Sequence, residues 1–270
     1  MNRPCTSLLG ARLDTFLLFM LVGFAAQAVD GALGMAYGVI SSTVLISFGV
    51  PPAAASASVH AAEVFTTAAS ASSHIAHKNV DWRFLLPLAL AGMTGGALGA
   101  YVLTSVDGDD IKPFVVGYLA IMGALILYRA LRTREIRPIG RRWAAPLGVV
   151  GGFCDAVGGG GWGPTVTSTL VGAGKAPRLA IGTVNTAEFF VASAISAAFL
   201  TALVTGHWEE AGALRDHGTA VGGLIVGGLL AAPLAGWVTK IFPVKALTWT
   251  VGLVVILLAS HQAALLFGLL

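Results

Sequence analysis

Four carboxylates stand in stretches of this chain that otherwise carry almost no charge: Asp30, Glu63, Asp155 and Glu188. An acid removed from water must be protonated, paired or hydrogen-bonded, so such groups can carry protons, hold a cation or gate a polar path. His60, three residues before Glu63, adds a side chain whose charge changes near neutral pH. Around them Ser56, His60, Glu63, Thr67, Ser70 and His74 recur at spacings of 4, 3, 4, 3 and 4. On a helix all six fall within about 40° of one line, a stripe roughly 27 Å long. That is close to the thickness of a bilayer's hydrocarbon core, so the stripe must face protein or water rather than lipid. Unpaired at mid-membrane, the four acids would cost roughly 10–14 kcal/mol together.

The acids come in pairs. Shifted by 125 residues, Asp30–Phe65 repeats without a gap as Asp155–Phe190, with eleven identities in thirty-six positions. Asp30 pairs with Asp155, Gly34 with Gly159, Gly38 with Gly163, Gly49 with Gly174, Pro52 with Pro177 and Glu63 with Glu188. Tyr37 answers Trp162, Ser58 answers Thr183, and His60 answers Asn185. In the second copy the stripe reads Ile181, Asn185, Glu188, Ala192, Ile195 and Phe199, polar only near the acid. Internal repetition dictates architecture before any local signal does, and the level where both copies stay polar is where a site is expected.

Composition sets the class. Of 270 residues 56% are hydrophobic and 11% charged, with mean hydropathy +0.82. A soluble domain carries about a quarter charged residues, so the chain is expected to be an all-α integral membrane protein. Two cysteines, Cys5 and Cys154, support neither a disulfide framework nor a metal cluster. The basic residues lack interleaved aromatics, which speaks against nucleic acid as a partner. Arg3 and Arg12 precede an apolar run ending near Ala26-Gln27-Ala28, a signal-like pattern. The repeat begins immediately beyond it, so an uncleaved first span is expected.

The chain carries ten hydrophobic segments: about 13–29, 33–49, 53–77, 84–106, 111–131, 143–156, 161–174, 177–205, 217–239 and 244–268. They divide it into a first membrane repeat (1–131), a basic linker (132–142) and a second repeat (143–270). Five segments per repeat is an odd number, so the copies must insert in opposite orientations, as inverted repeats of secondary transporters do. With the N-terminus outside, twelve of sixteen basic residues fall on cytoplasmic loops, including Arg129–Arg142. The reading is therefore a multi-pass inner (plasma) membrane protein with both termini outside, embedded in lipid and compatible with a homo-oligomer. The first two segments of each copy meet at Asp30-Gly31-Ala32-Leu33-Gly34 and Asp155-Ala156-Val157-Gly158-Gly159-Gly160-Gly161. Glycine runs are poor helix interior, so each pair is either two full spans or a broken, re-entrant hairpin. Amides freed at such breaks can cradle an anion. Lys and Arg stand in the predicted spans only within two residues of an end (Lys112, Arg129, Arg178 and Lys245), so an anion would be held by amides and hydroxyls, while the acids alone would equally suit a cation. Gly92–Gly99 and Gly222–Gly228 read as helix-packing seams.

At these residues the chain resembles the TauE/SafE sulfite exporter family, within the four-toluenesulfonate uptake permease superfamily. The resemblance covers nearly all of it. It is carried by Asp30-Gly31…Gly34-Met35…Tyr37-Gly38 and Pro52…Ser56-Ala57-Ser58-Val59-His60-Ala61-Ala62-Glu63. The second copy contributes Gly158-Gly159-Gly160-Gly161-Trp162-Gly163-Pro164 and Pro177…Ala180-Ile181-Gly182-Thr183-Val184-Asn185. The first copy departs from the repeated motif, with Gly31-Ala32-Leu33-Gly34 in place of four glycines and Val39 in place of proline. The resemblance implies transport of sulfite, thiosulfate, sulfonates or related small organic anions.

The expected reading is a secondary transporter with alternating access between the repeats. Asp30, Gly34, Tyr37, Ser58, His60, Asp155, Gly159, Trp162, Thr183 and Asn185 would line the substrate site, and Glu63 and Glu188 would couple or gate. No nucleotide-binding motif is present, so ion or substrate gradients would supply the energy. No catalytic residue, resident metal or cofactor is assigned. The alternatives are a cation or metal-ion transporter using the same acids and His60, an intramembrane hydrolase using Ser58 or Ser41 with His60, and a non-transporting scaffold.

Overall fold

A computed structural model describes residues 5–131, 140–208, 218–234 and 244–269, and among these every regular element is helical. The order is α1 (Cys5–Leu33), α2 (Tyr37–Ser47), α3 (Pro52–Ala76), α4 (Trp82–Thr104) and α5 (Gly108–Leu131). A 3-10 turn (Arg141–Trp143) then leads into α6 (Ala144–Gly158), a π turn (Gly163–Thr167) and α7 (Ser168–Gly172). Then come α8 (Pro177–Val204), α9 (Gly218–Ala231), a 3-10 turn (Ala232–Leu234) and α10 (Val244–Leu266). The basic linker lies outside the described residues except at 140–142.

Five stretches are long and apolar enough to cross a membrane: Leu13–Gly31, Trp82–Thr104, Gly108–Tyr128, Pro177–Val204 and Thr248–Leu266. The chain is an all-α, multi-pass membrane protein. Helix α3 has the length, but its polar stripe lowers its hydropathy. At about 16 Å, the eleven-residue α2 is too short to cross a hydrocarbon core of about 30 Å. The π turn and α7 are shorter still, so the second segment of each copy is a broken half-helix rather than a full span.

The helix ends are written twice in the sequence. Pro52 and Pro177 occupy the first turns of α3 and α8, where the missing N–H costs nothing. Gly49 and Gly174 adopt φ of 83° and 82° just beyond α2 and α7. The amides of Gly49 and Val50 reach the carbonyls of Ile46 and Leu45, and those of Gly174 and Lys175 reach Val171 and Leu170. This is a Schellman ending, repeated at a shift of 125.

The two halves interlock. The most extensive pairings are α4 with α6, α1 with α9, α4 with α8, α5 with α10 and α3 with α8. The first helix of each half therefore lies against the fourth helix of the other. Glycines permit the approach. A Cβ at Gly23 would meet the Leu224 carbonyl oxygen at 2.5 Å, and one at Gly148 the Leu88 oxygen at 2.5 Å. Gly95 and Gly99 of α4 abut the backbone of Val149 and Phe153, and Gly223 and Gly227 of α9 abut that of Phe16 and Met20. The runs read as packing seams are packing seams.

Candidate functional site

Each broken helix is closed by its own aspartate. Asp155 near the end of α6 accepts hydrogen bonds on Oδ1 from the Gly161 amide (2.7 Å) and the Trp162 amide (2.9 Å). Asp30 near the end of α1 accepts one from the Tyr37 amide at 3.3 Å. Both carboxylates thus cap the half-helix beyond the break, at positions 125 apart. Left-handed glycines make the turns, Gly34 at φ 66° and Gly159 at φ 64°. This changes one expectation: the amides of Tyr37, Gly161 and Trp162, free in the sequence reading to cradle an anion, already serve the chain's own acids.

The contacts between halves exchange as a two-fold axis would exchange them. A Cβ on Gly38 would lie 2.7 Å from the Cα of Gly160, and one on Gly163 would lie 2.6 Å from the Cα of Met35. Gly159 rests on Ser42 and Ser56, while Gly34 rests on Ile181. Thr167, the counterpart of Ser42, donates to the Gly34 carbonyl at 2.8 Å. Ser56 donates to the carbonyl of Ala156. Each half-helix break is therefore held by the other half.

At the centre, His60 of α3 meets Asp155 of α6. His60 Nε2 lies 3.2 Å from Asp155 Oδ2 and 3.8 Å from Glu63 Oε2. Nδ1 lies 2.8 Å from the carbonyl oxygen of Ser56, which can only accept, so Nδ1 carries a hydrogen. Glu63 Oε2 has no hydrogen-bond partner although Glu63 is only 2% exposed. The lack of a side chain at Gly38 makes room for the other oxygen, Oε1. Glu188 of α8 is buried and lies within electrostatic reach of Asp30, Glu63 and Asp155. Two acids from each half are thus buried within electrostatic reach of one another, and none of them pairs with a described Lys or Arg. His60 Nε2, Glu63 Oε2 and Asp155 Oδ2 lie within 4.8 Å of one another, a donor set able to hold a cation.

Other expected site residues lie elsewhere or do other work. Trp162 is fully buried and donates from Nε1 to the Val184 carbonyl at 3.1 Å. Tyr37 donates from its hydroxyl to the Leu224 carbonyl at 3.1 Å. Asn185, the counterpart of His60, donates to Ser70 Oγ at 3.0 Å and leaves its buried Oδ1 unpartnered. Ser58 bonds the Ala54 carbonyl and lines a cavity of about 340 Å³ with Ala61, Ser196, Phe199 and Leu200, away from the acids. Thr183 accepts from the Asp81 amide at 2.9 Å, which ties the α3–α4 loop to α8.

Several residues carry no signal in the sequence. Tyr118 of α5 donates to the Gly160 carbonyl at 3.2 Å and lies against Gly158 and Gly161. A lone tyrosine in an apolar run gives no hint of this. Asp81 caps α4 through the amides of Arg83 and Phe84, and its Oδ2 lies 2.6 Å from Lys175 Nζ. Burial pushes the Asp81 carboxyl up, but the Lys175 ammonium and the two amides outweigh this and hold it below its ordinary value. The counterparts of Asp81 and Lys175 are Gly206 and Val50, so this latch exists at one copy of the position only.

Interlocked broken helices around a shared acid centre define a polytopic membrane protein whose two halves jointly build one buried site. The profile described as "Sulfite exporter TauE/SafE" matches residues 19–261. The chain belongs to the TauE/SafE family and is a membrane transporter. It is 42% identical over 253 residues, 91% of this chain and 81% of the relative, to a Bacillus subtilis (strain 168) protein described as "Probable membrane transporter protein YtnM". No solved structure gives a significant match.

Proposed function

We propose that the chain is a secondary exporter of sulfite or a related small sulfur-containing or organic anion, working by alternating access around the acid centre between its halves. The observation that carries this reading is the burial of Asp30, Glu63, Asp155 and Glu188, two from each half, within electrostatic reach of one another. A centre of four acids that meets no Lys or Arg among the described residues repels an anion unless it first takes up positive charge. Protons on Glu63 and Glu188 supply that charge, so anion and proton move together. The exchange of contacts between halves supports an inverted-repeat arrangement in which one half rocks against the other. The loops rich in Lys and Arg face the cytoplasm and the termini face outward, across the plasma membrane. The reading is of a carrier and not an enzyme: of the two serines a hydrolase would use, Ser58 has its hydroxyl on the Ala54 carbonyl, and the hydrogen bonds of His60 run to Ser56 and Asp155 rather than to Ser41 or Ser58.

The test is sulfite flux in proteoliposomes with and without an imposed pH gradient. The wild type is expected to move sulfite faster down a proton gradient, and Glu63→Gln and Glu188→Gln to lose that dependence. Wild-type rates in both variants at every pH would refute the coupling.

A further inference from the structure

We propose that His60 Nε2, Glu63 Oε2 and Asp155 Oδ2 form a site for one divalent first-row metal ion of the zinc or cobalt class, bridging α3 of the first half to α6 of the second. The donors are an imidazole and two carboxylates, the set that such ions take in preference to calcium or magnesium, whose sites are built of oxygen alone. They lie within 4.8 Å of one another, and the His60–Asp155 and His60–Glu63 separations are 3.2 and 3.8 Å. Ligands about 2.0–2.1 Å from a tetrahedral ion stand about 3.3–3.4 Å apart, so small side-chain shifts close the site.

The groups behind the donors are those a metal site needs. A ligating histidine donates its other ring N–H to a carbonyl or carboxylate, which fixes its tautomer. His60 does so to the Ser56 carbonyl at 2.8 Å, leaving Nε2 toward the acids. A ligating carboxylate is oriented by its second oxygen. Asp155 is oriented by the Gly161 and Trp162 amides on Oδ1. The independent sign is Glu63 Oε2: it is buried, has no hydrogen-bond partner, and is the third member of the set. Two carboxylates and a neutral imidazole carry a charge that one divalent cation cancels. The second copy has Asn185 in place of His60, turned toward Ser70, so it offers no equivalent site.

A bound ion holds Glu63 ionised, so metal and coupling proton exclude one another at this residue, and binding is read without transport. Purified full-length protein in detergent is stripped with a chelator and titrated with Co²⁺ while visible absorption is recorded, then with Zn²⁺ in competition. One equivalent of Co²⁺ is expected to produce d–d absorption that Zn²⁺ abolishes. His60→Asn, Glu63→Gln and Asp155→Asn are each expected to weaken binding at least about tenfold. Asp155→Asn keeps an oxygen for the two amides on Oδ1 and so preserves the local hydrogen bonds. No Co²⁺ spectrum from folded wild-type protein overturns the proposal. So does binding unchanged in all three variants, or binding removed instead by His74→Asn with His77→Asn, which would place the ion at the end of α3.

Discussion

Gly38 of α2 and Gly160 after α6 cross backbone to backbone, so that a Cβ on Gly38 would stand 2.7 Å from the Gly160 Cα. A Cβ on Gly160 would collide with the Gly38 carbonyl carbon and the Val39 amide, at a φ of 156° that L residues rarely adopt. Neither obstacle is a flexible side chain. Gly38→Ala and Gly160→Ala are therefore expected to destabilise the protein by more than about 2 kcal/mol, the class of effect produced by overpacking and backbone strain. Gly117→Ala, with open space around it, is expected to leave stability unchanged or raise it slightly. Thermal unfolding of the three variants in detergent checks the contrast.

The hydroxyls that clasp the opposite break give a second prediction. Ser56→Ala and Thr167→Val each leave a carbonyl of the other half, Ala156 or Gly34, without its hydroxyl donor. Each is expected to cost about 1–3 kcal/mol, while Thr167→Ser, which retains the donor, costs less. Chemical unfolding midpoints distinguish them.

Ala36 sits at φ 124° between Gly34 and α2, in a backbone region suited to glycine. Strain of this kind costs about 1–3 kcal/mol. Ala36→Gly is expected to keep or raise the melting temperature, whereas Gly34→Ala, at φ 66° and against Ile181, is expected to lower it.

The Asp81–Lys175 latch gives a pH dependence. The carboxyl is held below its ordinary value by the ammonium and two amides, against the opposing effect of burial. Its contribution is therefore fully present above the ordinary carboxylate range and is lost as pH falls through the lowered folded value. Because the pair is partly exposed, its worth is below about 1 kcal/mol. Asp81→Asn keeps the helix cap but removes the charge, so its stability is expected to match the wild type at acid pH and to fall below it near neutrality. Asp81→Ala is expected to lose about 1 kcal/mol more, because the cap is gone too. Melting temperatures across pH for both variants measure the two parts separately.

The positions that repeat at a shift of 125 are readable from residue types because each needs a rare property. Gly49 and Gly174 supply a left-handed turn, Pro52 and Pro177 start helices, and Asp30 and Asp155 cap the half-helix beyond each break. The helical stripe on α3 likewise puts Ser56, His60 and Glu63 on one buried face. A stripe fixes a direction around one axis but not the neighbour it meets. Ser70, on the same line, finds Asn185 rather than an acid, and Thr183 serves the Asp81 amide. Nor can spacing show that the amides beyond each break are already taken, since a carboxylate six or seven residues back can cap them or point away.

The pairing of α1 with α9 and of α6 with α4 also bears on how the chain is made. A ribosome that has delivered the first five helices has produced two faces, on α1 and α4, whose mates are not yet synthesised. The face on α4 must wait in lipid or with an insertase until α6 follows it, and that on α1 until more than 200 residues have emerged and α9 arrives. Severed after residue 131, the N-terminal piece would keep its helices but not their lodging, and quality control would see it as an orphan.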